Sequence, residues 1–331
     1  MANIALRNPQ FKFHQSNDSA TVKIQLLLLI GGTLRYTIEK FGEDGFTTNF
    51  DISELARDYL NISYSATDYS DSIVIQSKLQ ALNAAGALIG PVSTFNDIGL
   101  EAYGLFEELA NPIVPFENIG TARWLLAENP STGLFEIFTP FSQAGKVAYM
   151  EANGNIQTAS YSTTATTIPL SQAGSTLKIN RIDCTKYGIG NKLWFINKYG
   201  VQQELWFFLK TETNVNRTNE NYKSNTLNNN DATGDDYSLT NAPRKLFNTQ
   251  AKRTIKLSSG YYPEFAVEFF EQLLLSEYVW IEITKTQQTT KVVLPFTVIN
   301  SSIEKKTSVN NRLIEYTMEF EEAADYINNI R

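Results

Sequence analysis

The sequence predicts a mainly β protein of the α+β kind: two β-sandwich-like domains, each with one packed helix, related as a distant internal repeat. Three observations carry this. A pattern of strand hairpin, short helix and returning strand occurs twice, from about Val22 to Tyr64 and from about Leu193 to Ile283. Aromatic residues reach 12%, with 20 Phe and 16 Tyr, a composition that suits sheet faces and interfaces. Helical periodicity is clear near 51–60 and 263–276, between stretches that alternate or read as strands. A length of 331 residues fits two domains, and 42% hydrophobic residues supply real cores. The expected division is an N-terminal β-rich domain over 1–156, a Ser/Thr-rich linker or loop over 157–176, and a C-terminal β-rich domain over 177–331.

In chain order, Thr21 to Ile30 reads as a strand whose run Leu26-Leu27-Leu28-Leu29-Ile30 is buried on both faces. Gly31-Gly32 turns it into Thr33–Lys40, which alternates as a half-exposed return strand closed by Gly42 and Gly45. Asp51 and Glu54 resemble a capping box, and Ile52, Leu55 and Tyr59 share one face, so 51–60 reads as a helix of about three turns. Ile62–Ser65 and Ser72–Leu82 follow as strands, and Leu100–Leu109 as a short helix or an irregular aromatic segment. Further strands are read at Gly120–Leu126, Leu134–Phe138 and Val147–Glu151, the last closed by the hairpin turn Asn153-Gly154.

The second half uses larger side chains. Lys192–Asn197 and Gln203–Lys210 flank a turn at Lys198-Tyr199-Gly200-Val201, with Trp194 and Trp206 on the two arms. Arg253–Leu257 reads as a strand ended by Gly260, and Pro263 stands at a first helical position, where its missing amide costs nothing. Phe265, Phe269, Gln272 and Leu273 share a face, with Val267, Phe270 and Leu274 beside it, as in a helix buried on more than one side. Tyr278–Ile283, Lys291–Val298 and Leu313–Phe320 complete a sheet, and Glu321–Arg331 reads as a short terminal helix.

One segment lacks a counterpart in the first half. Residues 211–249 are almost all polar, and compact domains rarely keep so long a connection without a use. Two readings stay open: a solvated loop, or an arm that orders against a neighbouring subunit through Tyr222, Leu227, Tyr237, Leu239 and Leu246 as partner contacts.

Composition excludes several classes. A net charge of −7 argues against a surface that tracks phosphates, so no sequence-specific nucleic-acid binding is expected. The lone Cys184 permits neither an internal disulfide nor a multi-cysteine metal site and is expected as a buried small hydrophobe. No nucleophile signature surrounds it to make use of the lone His14. Glu107-Glu108 and Glu321-Glu322 are adjacent, so their side chains diverge and read as solvated faces. The stretch from Asn228 to Asp236 has the oxygen ligands of a calcium loop but lacks its twelfth-position Glu. Gly188-Ile189-Gly190 leads into a strand where a dinucleotide fingerprint requires a helix. Trp206-Phe207-Phe208 reads as core. Hence no catalytic residue, no cofactor and no metal are expected, and the chain is not read as an enzyme. Met1–Pro9 shows no targeting pattern, and the five-residue Leu/Ile run is too short to span a bilayer, so no membrane insertion is expected.

At Phe50–Leu60 the chain resembles structural proteins of the tail and virion of tailed bacteriophages that infect Bacteroidetes, including crAss-like podoviruses. Asn197–Phe207, Gln272–Trp280 and Lys306–Thr317 extend the resemblance over both halves. It implies a structural subunit of a virion, a tail, neck or baseplate ring or adaptor built of β-sandwich domains that assemble through loops and edge strands. The implied partners are copies of itself and other virion proteins, with assembly in the host cytoplasm and DNA passing through an acidic lumen. The family carries no catalytic residues over. The alternative is a receptor- or carbohydrate-binding fibre module, for which Tyr261-Tyr262 and Trp280 are the aromatic candidates.

Overall fold

The computed structural model describes residues 2–41, 47–66, 71–108, 123–124, 128–129, 134–150, 156–169, 176–183, 190–228, 236–284, 290–300, 302–304 and 313–324. It is mainly β with several sheets, in the β-sandwich-like manner expected. Cys184, the Asn153-Gly154 turn, Gly42, Gly45, residues 229–235 of the calcium-like stretch and the terminal 325–331 lie outside the described residues.

The N-terminal unit contains β1 (Ala2–Ala5), β2 (Phe11–Gln15), the hairpin β3 (Lys23–Ile30) and β4 (Thr33–Phe41), then β5 (Thr47–Asp51), helix α1 (Ser53–Arg57), β6 (Ser72–Leu82) and β7 (Leu88–Leu100). Five strands form one sheet in the order β1-β7-β6-β3-β4, and β2 pairs with β5 in a second, two-stranded layer. The core lies between the layers: Ile24, Leu26, Leu28 and Ile30 of β3 meet Ile75, Leu79, Phe50, Ile52 and Ala56. Along β3 burial alternates strictly, so the Leu/Ile run is buried on one face only, with Gln25, Leu27 and Leu29 half-exposed on the other. The reading of a strand buried on both faces is corrected accordingly. Helix α1 spans five residues rather than three turns, and Ile62–Ser65 is irregular, so the returning strand is β6. Asp51 does serve the helix start, but through its Oδ1, which accepts from the Ser53 amide at 3.0 Å and from the Gln10 amide at 2.9 Å.

The middle of the chain supplies β8 (Arg123–Trp124), β9 (Glu128–Asn129), β10 (Leu134–Pro140), β11 (Gly145–Met150), β12 (Ile156–Tyr161), β13 (Thr167–Pro169) and β14 (Thr176–Ile182). They form two small sheets, β13-β14-β10-β9 and β12-β11-β8. Their inward residues Ile137, Val147, Tyr149, Tyr161, Leu177 and Ile179 share one buried cluster with Phe207, Tyr262 and Phe270 of the C-terminal half. By packing, strands before residue 156 therefore belong with the second core. The stretch read as a linker, 157–176, holds most of β12 and all of β13 in its described part.

The C-terminal unit runs through the hairpin β15 (Asn191–Ile196) and β16 (Gln202–Phe207), then β17 (Thr211–Lys223), β18 (Leu227–Asn228), β19 (Asp236–Tyr237) and β20 (Arg244–Pro263). A 3-10 turn at Glu264–Ala266 leads into helix α2 (Val267–Leu274), followed by β21 (Val279–Thr284), β22 (Lys291–Val298) and β23 (Leu313–Glu322). The sheet order is β16-β15-β21-β22-β23-β20-β17. After β16 the amides of Phe208 and Leu209 donate to Ser259 and Ser258 of β20, at 3.1 and 3.2 Å. One bent strand, β16 continuing into β17, thus joins β15 on one side to β20 on the other and closes the sheet into a barrel. Helix α2 plugs it with Phe269, Phe270 and Leu273, and the Phe270 ring stacks on Tyr316 at 4.5 Å between centroids. Gly260 does not end its strand: β20 continues to Pro263 across a bulge between Ser258 and Tyr261, where Gly260 adopts φ +78°.

The internal repeat is visible in the topology. In both units the hairpin's first strand is flanked by its own return strand and by the strand that follows the helix. The order β4-β3-β6-β7 in one unit matches β16-β15-β21-β22 in the other. A hairpin of this kind buries only one face by itself. Each helix closes that face, α1 through Ala56 and α2 through Phe270.

Candidate assembly surface

The described part of 211–249, residues 211–228 and 236–249, forms neither a loose loop nor part of the barrel wall over most of its length. β17 and β20 pair continuously from Thr211↔Leu257 to Lys223↔Arg244, broken by a bulge between Thr218 and Glu220. β20 pairs with β23 only from Thr254 onward, so Arg244–Arg253 extends past the barrel as half of a two-stranded ribbon. At about 3.4 Å per residue this overhang is roughly 30 Å long. Both faces are exposed along its outer part, and an isolated two-stranded ribbon has no core to hold it.

The five anchors expected from the sequence are all exposed, between 48% for Tyr222 and 92% for Leu239. Leu227 and Tyr237 are brought together as direct partners in the small β18–β19 sheet, while Leu239 stands in the turn that follows. Tyr222 and Leu246 lie on opposite ribbon faces, because their ladder partners, Lys245 and Asn221, are sequence neighbours of Leu246 and Tyr222. Sequence reasoning missed Phe247 and Val215, which are also more than half exposed. Phe247 meets Tyr222 edge to face at 6.2 Å. The signal for it was the adjacent apolar pair Leu246-Phe247, which in a two-sided ribbon gives one apolar side chain to each face.

A second feature fixes how the two units meet. Glu101 is only 3% exposed, and its carboxylate faces two arginines of the N-terminal unit. Arg57 binds it in a forked ion pair, with Nε donating to Oε2 at 3.0 Å and Nη2 to Oε1. The same Nη2 reaches Glu277 of the C-terminal unit at 2.6 Å, and Arg7 Nη1 donates to the Leu275 carbonyl at 3.0 Å. These carboxylates raise the Arg57 guanidinium further above its ordinary value, chiefly through the Glu101 hydrogen bonds. Beside this network Tyr64 packs edge to face on Trp194 at 5.0 Å and lies 6.1 Å from Trp280, on the barrel's outer face. Ser65 and Gln202 exchange two hydrogen bonds, at 3.1 and 2.8 Å. Gly200, at φ +77°, lets its turn approach Leu100 and Glu101.

The remaining candidates do not assemble into a reactive centre. His14 is buried, its Nδ1 3.1 Å from Ser93 Oγ, and desolvation lowers its pKa. Glu321 and Glu322 diverge as expected, but only Glu321 is solvated; Glu322 is buried against Arg253 at 2.9 Å. Glu204 receives the Tyr161 hydroxyl at 2.9 Å and Trp206 Nε1 at 3.0 Å, with Lys192 Nζ 2.5 Å from its other oxygen. Burial first, and then the Glu204 charge, pushes the Tyr161 phenol far above its usual range. The adjoining cavity, of about 30 Å³, has room for a water and not for a substrate. Trp206, Phe207 and Phe208 are core. Of the aromatics weighed for sugar stacking, Tyr262 and Trp280 are buried and only Tyr261 is exposed. Among the described residues no group of three or more His, Cys, Asp or Glu is placed to hold a metal, and no helix is long and apolar enough to cross a membrane.

No protein-family model, curated protein or solved structure matches the chain.

Proposed function

We propose that this chain is a structural subunit of a bacteriophage virion, a ring or adaptor protein of the tail, neck or baseplate. It assembles with copies of itself and with other virion proteins, and it does no chemistry. The observation that carries the reading is the ribbon, which holds its apolar side chains in water on both faces and gains a core only when a neighbour covers them. The network of Arg7, Arg57, Glu101 and Glu277 supports it, because it holds the two units as one block, as a repeated building element requires.

Two measurements test this. Mass spectrometry and imaging of purified particles whose genome encodes the chain should find it as a stoichiometric component; its absence from intact particles refutes the reading. Replacing residues 218–250 by a two-residue turn between the ladder partners Arg217 and Ala251 should leave the melting temperature of the isolated protein unchanged while abolishing incorporation into particles. Normal incorporation of the shortened chain removes the ribbon from the argument.

A further inference from the structure

We infer that the ribbon of one copy docks on the β2–β5 layer and α1 of a second copy, so that the chain associates head to tail. This rests on the reading of the chain as a self-assembling subunit, and it names the receiving surface. In an antiparallel ladder, directly opposed residues share a face. One ribbon face therefore carries Tyr222 with Lys245, and Phe247 with Glu220 beside them. The reverse face carries Leu246 with Asn221, and Lys223 with Arg244. Across both faces the ribbon's paired outer end, 220–223 with 244–247, sets Lys223, Arg244 and Lys245 against Glu220, with Asp236 of β19 beyond it, so the paired end itself is apolar and basic.

The matching surface lies on the other unit. β2 turns His14 and Lys12 inward, to Ser93 and Asp97, and leaves Phe11 and Phe13 facing out, 52% and 59% exposed. Phe11 stands directly opposite Asp51, and the chain continues from there into Glu54 and Asp58, all three exposed and acidic. Arg57 is committed to Glu101 and Glu277; Lys40 sits at the layer's own edge on the Asn49 carbonyl at 2.8 Å, and Arg35 lies over the Tyr59 ring at 4.9 Å, so three carboxylates stand there against two cations. The patch is thus apolar and acidic where the ribbon is apolar and basic, which is the complementarity that sets register and steers encounter. Because the two surfaces differ and sit on different units, each contact leaves a free ribbon at one end and a free patch at the other. Such a heterologous contact builds a ring if its rotation closes and a filament if it does not.

The test uses two full-length variants, Tyr222→Ser/Phe247→Ser in the ribbon and Phe11→Ser/Phe13→Ser in the patch, with circular dichroism to show that both remain folded. Native mass measurement against concentration is the readout. The wild type is expected to form oligomers larger than two, which weaken as salt is raised. Each variant alone is expected to be monomeric, with association weakened at least about tenfold. Their mixture should form a one-to-one dimer and stop there, since only one functional ribbon meets one functional patch. Lys245→Glu should weaken wild-type association, and Glu54→Lys in the partner should restore it. If the patch variant assembles like the wild type, the ribbon docks elsewhere and the inference is overturned. A wild type that stays monomeric at all concentrations also overturns it, while its presence in particles would leave the proposed function standing. Absence from particles would instead remove the reading on which the inference rests.

Discussion

Removing Arg57 should loosen the joint between the two units more than any surface substitution nearby. The Glu101 carboxylate is 3% exposed, and Arg57, 32% exposed, is its forked partner. Taking away one member of a buried pair typically costs about 3–5 kcal/mol, because the remaining charge is stranded away from water. Two features reduce that here. Arg7 Nε still stands 4.0 Å from Glu101, and the exposed side of Arg57 is screened by solvent. We therefore expect Arg57→Met to cost about 2–3 kcal/mol. Urea unfolding followed by tryptophan fluorescence is the assay. Of the four tryptophans, Trp194 and Trp280 lie at the joint, against Ile62 and Tyr64 of the N-terminal unit, so fluorescence is weighted toward the joint while far-ultraviolet circular dichroism reports both units. The two signals should coincide in the wild type and separate in Arg57→Met. Adding Glu101→Met removes the stranded charge and should return stability to within about 1 kcal/mol of the wild type. A single-variant loss below about 0.5 kcal/mol, or a double variant less stable than the single, would show that the network does not join the units.

Tyr262 is fully buried and donates to the Trp206 carbonyl at 2.7 Å, so Tyr262→Phe should cost about 1–2 kcal/mol in denaturant unfolding. Gly200→Ala adds a Cβ 3.0 Å from Leu100 Cβ at φ +77°; a loss of about 1–3 kcal/mol is expected, with the two units separating in the melt as for Arg57→Met. His14 is the sole histidine, and its pKa is lowered on folding from 6.5. The unfolded chain then binds the proton more readily, so the neutral ring's contribution to stability is complete above about pH 6.5 and is lost as pH falls below it. Thermal melts between pH 7.5 and about 5 should fall less steeply in His14→Gln than in the wild type, and equal slopes would count against the assignment.

Sequence alone determined the features set by local periodicity and by the chemistry of the residue types. Strict alternation in Thr33–Lys40 and the apolar breadth of 263–276 specify a strand and a buried helix wherever they pack. The low basic content and the single Cys and His bounded the chemistry before any geometry was known. The doubled hairpin and helix were legible for the same reason. Periodicity could not tell that Leu26–Ile30 buries one face, because five apolar residues in a row read alike whether both layers exist or one. Nor could it assign β10–β14 to the second core, since that depends on which surface they meet across tens of residues. The ribbon is the clearest case. Polar composition allowed a loop as readily as a strand pair, and only the ladder from Thr211 to Arg244 places Tyr222 beside Phe247 and holds both in water. The joint around Glu101 was invisible to sequence, because Arg7, Arg57, Glu101 and Glu277 lie far apart along the chain. A charge network is a property of distance, and only the packed structure sets distances.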